Sequence, residues 1–236
     1  MAETIQRSLL GVSVPAIDGI EVGIRAAPGR LAGGDYVDAI RLPGTPTVIG
    51  IGDVSGKSLP SALMSLGLKF AIRGLLRAHP NDLPSVLRHA NDVMGETIGD
   101  DEYISALLCS IPAERDRLIL ANAGHDPPIV YRAATETIEE TEPRGLVMGV
   151  LRGCRYEAQT IPLQPGDIVV LYTDGFTEAR NPSGEQFTLA QLKSGLHEHR
   201  AREAQALADA LFERIEDYTA GTFRDDASIV VMRLLP

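Results

Sequence analysis

The order in which strand-like and helix-like patterns follow one another is the feature that most constrains the fold of this chain. Runs in which apolar residues alternate come in groups, and helix-like segments lie between these groups instead of following every strand. A parallel sheet needs a crossover, usually a helix, after each strand, whereas antiparallel strands can follow one another through short turns. The pattern therefore predicts an α+β protein with antiparallel sheets and helical layers.

The predicted elements are separated by turns rich in glycine, proline and aspartate. The strand candidates are residues 20–26, 36–42, 47–51, 103–111, 117–123, 128–132, 156–162, 167–172 and 227–234. The helix candidates are residues 58–77, 83–98, 189–198 and 201–218, and Ser58 is the expected cap of the first. No repeat, low-complexity tract or linker divides the chain, which favours one domain.

Four acidic signatures lie where a strand candidate meets a turn. They are Gly33-Gly34-Asp35, Gly52-Asp53-Val54-Ser55-Gly56-Lys57, Tyr172-Thr173-Asp174-Gly175 and Arg224-Asp225-Asp226. Carboxylate oxygens select hard cations such as Mg²⁺ or Mn²⁺, and two such ions can generate and orient a hydroxide. Each signature alone has a structural explanation, such as an Asx turn or a helix cap. Together, four acids at strand ends favour metal-assisted hydrolysis.

Asp53 is the strongest candidate ligand because it follows the apolar run Val48–Ile51. A carboxylate buried at the end of a central strand is costly without a partner, and a metal ion is an adequate partner. The carbonyl of Val54 can serve as an additional ligand. Asp174 repeats this pattern after the run Ile168–Tyr172, although Asp-Gly is also a common turn dipeptide.

The two remaining signatures each contain a choice between neighbouring acids. Asp35 and Asp38 point to opposite faces of an extended chain, so one of them is expected to be structural. The preceding glycines favour Asp35 as the ligand. Asp225 and Asp226 repel each other unless a cation or a cap offsets their charge, so only one of them is expected to face a metal.

Composition and charge exclude several classes of function. The formal net charge of −10 leaves no basic stripe for a nucleic-acid partner. Cys109 and Cys154 are too few for a disulfide framework, so a reducing cytoplasm is the expected location. The N-terminus lacks the apolar stretch of a signal peptide, and no apolar run reaches membrane-spanning length. These features predict a soluble protein with no membrane partner.

Beyond these acids, the chain resembles the metal-dependent PPM (type-2C) serine/threonine phosphatases. It is most similar to the bacterial subfamily that dephosphorylates anti-sigma-factor antagonists in sporulation and stress responses. The matching stretches are residues 31–38 (Leu-Ala-Gly-Gly-Asp-Tyr-Val-Asp), 52–57, 121–128 (Ala-Asn-Ala-Gly-His-Asp-Pro-Pro), 163–167, 171–181 and 225–228. Their order and spacing cover nearly the whole chain from about residue 20.

The resemblance implies a four-layer α-β-β-α sandwich of antiparallel sheets flanked by helices, with a two-metal site at one edge. Asp53 would bridge two Mn²⁺ or Mg²⁺ ions, and Val54 would offer its carbonyl to one of them. Asp174 and Asp225 would hold the second ion, while Asp35 would act directly or through water. Asp53 and Asp174 are therefore the expected catalytic residues.

The implied reaction is hydrolysis of a phosphoserine or phosphothreonine ester by a water activated between the two ions, without a covalent phosphoenzyme. The implied substrate is a phosphorylated signalling protein of the anti-sigma-factor antagonist type. Asp226 stays open as the ligand in place of Asp225. His125 lies with Asn122 in a loop that matches the family, and we interpret it as a structural histidine.

The resemblance also implies regulatory contacts. The helix candidates 58–77 and 83–98 match a region that the subfamily uses for regulation and docking, which suits an upstream sensor domain, a regulatory partner or a homodimer. Residues 1–18, which include Gln6-Arg7-Ser8-Leu9-Leu10, resemble the linker helix that joins a sensor to this domain in longer relatives. Residues 19–236 are the expected phosphatase domain.

Three other interpretations stay open on the sequence. Cys109 and Arg115 have the Cys-x5-Arg spacing of cysteine phosphatases, but Pro112 lacks an N–H for phosphate and Glu114 has the wrong charge. Nucleotide cyclases also carry Gly-Gly-Asp and two metals, but the acids in the C-terminal half have no role in that scheme. The third alternative is a catalytically weak or inactive phosphatase fold that serves as a binding or regulatory module.

Overall fold

The structure is a computed structural model and describes residues 12–27, 33–56, 59–99, 101–142 and 145–236. Most of the predicted N-terminal segment and the predicted cap Ser58 therefore lie outside the described residues. The strands in the described part are β1 (Ile20–Ala27), β2 (Tyr36–Ile40), β3 (Val48–Val54), β4 (Ile104–Ser110), β5 (Arg117–Ala123), β6 (Ile129–Arg132), β7 (Thr137–Glu140), β8 (Ala158–Pro162), β9 (Ile168–Tyr172) and β10 (Ala227–Leu234). The helices there are α1 (Leu59–Ala78), α2 (Leu83–Met94), α3 (Asp174–Thr177), α4 (Leu189–His199) and α5 (Ala204–Tyr218).

The described residues form two compact units, and each unit contains one five-stranded antiparallel sheet. Apart from the gaps given above, the first unit takes in residues 12–15, 33–125 and 142–163, with the strand order β2-β3-β4-β5-β8 and helices α1 and α2. The second unit takes in residues 16–27, 126–141 and 164–236, with the strand order β1-β10-β9-β6-β7 and helices α3, α4 and α5. The predicted α+β fold of antiparallel sheets with helices is confirmed.

In the first unit, α1 and α2 pack on the sheet through their apolar sides. Leu68 and Ile72 of α1 and Leu87 of α2 share one buried cluster with side chains of β2, β4 and β5. Proline residues lie near the ends of α1: Pro60 suits its first turn, and Pro80, two residues after Ala78, cannot continue the helix. β3 is central, as predicted, since it pairs with β2 on one side and with β4 on the other.

In the second unit, α4 and α5 pack on the sheet around a group of aromatic side chains. Phe176 and Phe212 meet edge to face, with ring centroids 5.6 Å apart. Thr188 and Gln191 form a capping box at the start of α4, which satisfies backbone N–H groups that the helix leaves open. β10 lies between β1 and β9, so the last of the described strands is an interior strand of this sheet.

Among the described residues, one helix is long and apolar enough to cross a membrane by length and composition, and this helix is α1. The prediction that no stretch reaches that length is therefore wrong for α1. The reason is that α1 is apolar on both its buried and its exposed sides: Leu63 and Phe70 are exposed, while Leu68 and Ile72 are buried. A core helix of a soluble protein passes the same test.

Candidate functional site

The first group of candidate ligands lies at the end of β3. Asp53 stands opposite Ser105 of β4, and it is partly exposed while its neighbours Gly52 and Val54 are buried. Ser55 closes this end of the strand, because its N–H donates to the Tyr103 carbonyl at 2.9 Å. The ladder therefore fixes the backbone of Asp53 while its side chain reaches the surface of the unit.

The Gly-Gly-Asp turn packs directly against this strand end. The Val54 N–H donates to the Gly34 carbonyl at 3.3 Å. A β-carbon added to Gly34 would lie 2.7 Å from the Val54 carbonyl oxygen and 3.3 Å from Asp53 Oδ1. Only glycine fits without a shift at this position, so the turn brings Asp35 beside Asp53 and Val54. These three residues offer only oxygen ligands, which fits a hard divalent cation.

Asp38, the alternative to Asp35 as a candidate ligand, has a structural role. Its fully buried carboxylate accepts hydrogen bonds from Arg73 Nε at 2.6 Å and Arg73 Nη2 at 2.7 Å. Lys69 Nζ lies 3.8 Å from the same carboxylate. Burial lowers the pKa of Lys69, and the Asp38 carboxylate opposes that shift. The carboxylate is thus neutralised within the fold, as expected for the acid of this pair that is not a ligand.

The second group of candidate ligands lies in the second unit, where β9 and β10 run side by side. The N–H of Thr173 donates to the Ser228 carbonyl at 3.1 Å, and the N–H of Ser228 donates to Thr173 Oγ1 at 3.0 Å. A β-carbon added to Gly175 would overlap the Asp226 carbonyl oxygen. Asp174 lies between these two contacts, so the antiparallel pairing brings it to the start of β10, next to the Asp225-Asp226 pair.

Asp225 and Asp226 differ in their surroundings. Asp226 is buried, with 6% of its surface exposed, whereas Asp225 is partly exposed. The N–H of Asp226 donates to Asp225 Oδ1 at 2.9 Å, which fixes the orientation of the Asp225 carboxylate. The two carboxylates therefore have distinct environments, and which of them faces a cation stays a prediction.

His125 is held by hydrogen bonds on both its backbone and its ring. Asn122 Oδ1 accepts from the His125 N–H at 2.8 Å, and Asn122 Nδ2 donates to the His125 carbonyl at 2.9 Å. His125 Nδ1 lies 2.8 Å from Ser105 Oγ, and Ser105 is the residue opposite Asp53 in the ladder. This network agrees with a structural histidine that stabilises the β4–β5 region beside Asp53.

Cys109 is unsuited to nucleophilic catalysis. It lies within β4 and is fully buried, and burial raises the pKa of its thiol to about 12. A cysteine phosphatase needs a thiolate in a loop whose successive N–H groups bind phosphate. The Cys-x5-Arg spacing therefore has no catalytic meaning in this chain.

Within the described residues, no three His, Cys, Asp or Glu side chains are grouped as a ready-made metal cage. The fit to a cation rests instead on the two local arrangements above: the Gly34 contact with Val54 and Asp53, and the Gly175 contact with Asp226. Both deliver oxygen ligands from a tightly packed backbone.

Comparison with known proteins gives the family. Residues 43–235 match the family described as Stage II sporulation protein E (SpoIIE). The chain belongs to the SpoIIE family. This match spans most of the chain and confirms the resemblance found in its motifs.

Individual relatives of this SpoIIE-family chain share less than a third of its residues. The chain is 28% identical over 237 residues to the phosphoserine phosphatase RsbU of Bacillus subtilis (strain 168). This alignment covers 99% of the chain and 69% of RsbU. The SiaA-PP2C domain of Pseudomonas aeruginosa is 22% identical, with a TM-score of 0.78 over 99% of the chain and 90% of that domain. The catalytic domain of the serine/threonine phosphatase PstP, in complex with 2 manganese ions, is 15% identical, with a TM-score of 0.67 over 92% of the chain and 99% of that domain. The structural likeness shows a PP2C fold.

Some polar residues near the candidate groups were not singled out on the sequence. Thr173 and Ser105 orient the segments around Asp174 and Asp53, but a single Thr or Ser in a strand has no recognisable pattern. Asp126, in the second unit, has its pKa raised by burial and further by the nearby Glu178 carboxylate. Asp126 lies in the motif Gly-His-Asp-Pro-Pro of this SpoIIE-family chain, and that motif could have identified it as a candidate residue.

Proposed function

We propose that the chain is a metal-dependent protein serine/threonine phosphatase that hydrolyses a phosphoserine or phosphothreonine ester. Membership of the SpoIIE family and similarity to RsbU, a phosphoserine phosphatase, support this reaction. The observation that carries the proposal is the packing of Gly34 against the Val54 carbonyl and the Asp53 carboxylate. This packing places a carboxylate, a carbonyl and the neighbouring Asp35 at one strand end.

The cofactors in this proposal are two divalent cations, Mn²⁺ or Mg²⁺. Oxygen-only ligand sets favour such hard ions, and PstP binds two manganese ions on the same fold. The residues proposed to bind the cations are Asp35, Asp53, Val54 (through its carbonyl), Asp174 and Asp225, with Asp226 as the alternative to Asp225. Asp53 is the residue proposed to contact both ions.

When bound, the cations would lower the pKa of a water and offset negative charge on the phosphoryl group. The chain's own part is to hold its carboxylates in place: the β3–β4 ladder fixes Asp53, and the Thr173–Ser228 hydrogen bonds fix the segment that carries Asp174. Both acids are proposed as catalytic residues. No protein nucleophile is required, in agreement with the buried, protonated thiol of Cys109.

The proposed substrate is a phosphorylated anti-sigma-factor antagonist or a similar bacterial signalling protein in the cytoplasm. The RsbU relative is longer than this chain, which spans 69% of it. An upstream sensor, a regulatory partner or a second copy is proposed to dock on α1 and α2, where Leu59, Leu63 and Phe70 are exposed. In this proposal, residues 1–18 form a linker and residues 19–236 form the phosphatase domain.

The proposal is tested by hydrolysis of p-nitrophenyl phosphate and of a phosphoserine peptide with and without Mn²⁺. We expect Mn²⁺-dependent activity from the wild type and a loss of at least about 100-fold in kcat for Asp53→Asn, because a lost ligand removes several kcal/mol of charge stabilisation. Asp116→Asn is the matched control, since Asp116 is exposed and the side-chain contact that the structure describes for its carboxylate is with its neighbour Arg117.

Full activity in Asp53→Asn would contradict the proposal that Asp53 binds the catalytic metal ions. A wild type that fails on both substrates with Mn²⁺, yet binds a partner protein, would favour the inactive binding module instead.

A further inference from the structure

A row of polar side chains connects α1 to the strand that follows the Gly-Gly-Asp turn. Ser65, Lys69 and Arg73 are spaced four residues apart, so they lie on one face of the helix. Lys69 and Arg73 contact Asp38 of β2, as described above. Ser65 Oγ donates to the backbone carbonyl of Asp35 at 3.0 Å. The row therefore runs along β2 from its middle to the turn before it.

Ser65 is the member of this row with no exposed surface, on a face of α1 that also buries Ser61 and Lys69. Its neighbours on the buried side of α1 include Ala62, Leu68 and Ile72. A buried hydroxyl is costly without a partner, and an alanine there would serve the helix better. The partner of Ser65 is not in its own helix, as is common for serine, but is the peptide of a proposed metal ligand.

The contacts of Asp38 with α1 and with its own strand limit how β2 can move. The Asp38 carboxylate also accepts a hydrogen bond from the Ala39 N–H at 3.0 Å, so its side chain is tied to the strand as well as to α1. A shift of the helix along the strand would leave the Asp38 and Lys69 charges buried and unpaired, which is strongly unfavourable. Asp38 thus fixes the register of α1, and that register delivers Ser65 to the Asp35 carbonyl.

We propose that Ser65 is a positioning residue that sets the orientation of Asp35 toward a divalent cation. It acts through the backbone of the turn: the hydroxyl holds the Asp35 carbonyl, while the Val54 N–H holds the Gly34 carbonyl at 3.3 Å. Two successive peptides are held, one by β3 and one by α1, which fixes the direction in which the Asp35 side chain leaves the backbone. This inference rests on the proposed function, since it takes Asp35 as a metal ligand.

The test measures Mn²⁺ binding by calorimetry, together with kcat and KM for p-nitrophenyl phosphate, in wild type, Ser65→Ala and Ser65→Cys. We expect about tenfold weaker Mn²⁺ binding for Ser65→Ala, as for other residues that orient a metal ligand, and activity that recovers in part at high Mn²⁺. Ser65→Cys keeps the size of the side chain but has a weaker donor, so its affinity should fall between the two. Ser110→Ala is the control, because Ser110 is buried at the other end of the β3–β4 ladder from Asp53.

The outcomes separate this inference from the proposed function. Wild-type Mn²⁺ affinity and kinetics in both Ser65 variants, with only a lower melting temperature, would overturn the positioning role and leave the phosphatase assignment intact. A wild type that binds no Mn²⁺ would overturn both. If Ser65→Ala does not fold by circular dichroism, the Ser65→Cys affinity decides: a value equal to that of wild type refutes the role.

Discussion

The Asp226 carbonyl oxygen lies directly against the α-carbon of Gly175, with no room for a side chain between them. Gly175 does not adopt a left-handed conformation, so the requirement for glycine at this position is one of space. The contact connects the short helix α3, which begins at Asp174, to the segment that leads into β10.

Gly175→Ala is therefore expected to push α3 away from the Asp226 segment. Overpacking of this kind costs about 1–3 kcal/mol of the free energy of unfolding, and the shift should also displace Asp174. We expect a lower denaturant midpoint and a large loss of kcat, measured by urea unfolding and by phosphatase assay.

Gly74→Ala is the matched control for that change. Gly74 is exposed within α1, and an added β-carbon would meet no atom within 4 Å. Alanine is favoured over glycine inside a helix, so we expect a gain of roughly 0.5–1 kcal/mol in stability and unchanged kcat. Equal destabilisation by the two substitutions would show that the Gly175 contact has no special importance.

Asp38→Asn is expected to lower stability by about 3–5 kcal/mol, because it leaves the buried Lys69 ammonium without its opposite charge. Arg73 should suffer less, since 40% of its side chain is exposed and it can turn to water. Thermal unfolding of Asp38→Asn and Asp35→Asn distinguishes the two acids. We expect Asp35→Asn to keep its stability and lose Mn²⁺ affinity; the reverse pattern would exchange their roles.

The two cysteines should differ in reactivity. Cys109 is fully buried and its pKa is raised to about 12, so its reactive thiolate forms only above the pH of ordinary assays, whereas Cys154 is partly exposed. Titration of the native protein with Ellman's reagent at pH 8 should modify one thiol, and unfolding should release the second. Cys109→Ser should retain phosphatase activity, and loss of activity in a folded Cys109→Ser protein would reopen the cysteine mechanism.

Strands with a strong apolar pattern were predicted well from the sequence. β5 and β10 have the predicted bounds, Arg117–Ala123 and Ala227–Leu234, because both are apolar runs limited by charged or polar turns. The acids at 53, 174 and 225 stand out for the same reason, since each interrupts or adjoins such a run. Their function as ligands remains a prediction.

Elements whose structure depends on tertiary contacts, and not on a local sequence pattern, were not predicted. β7, Thr137–Glu140, is an exposed polar edge strand whose one partner among the described strands is β6, so its sequence shows no buried face. The Asp174-Gly175 dipeptide resembles a turn, and α3 forms there because Phe176 is buried in the core of the second unit. α2 was predicted to reach residue 98, but it ends at Met94, just before Gly95.

The polar contacts of the candidate site could not be predicted from one sequence. Asp38 and Arg73 are 35 residues apart, and no local pattern indicates that they pair. Periodicity places Ser65 on the buried face of α1, but the hydroxyl's partner, the Asp35 carbonyl, depends on the register between helix and strand. Such choices are made by tertiary packing, which local propensity does not encode.

The pairing of β1 with β10 has a consequence for how this protein folds during its synthesis. β1 leaves the ribosome first among the strands described, yet its ladder partner β10 is the last to emerge, with Ile20 opposite Leu234. The sheet of the first unit can close as soon as β8 is available, whereas β1 cannot pair with its partner until β10 has been synthesised. An unpaired strand edge is prone to wrong pairing, so β1 is the strand of the second sheet that is exposed to this risk for longest during synthesis.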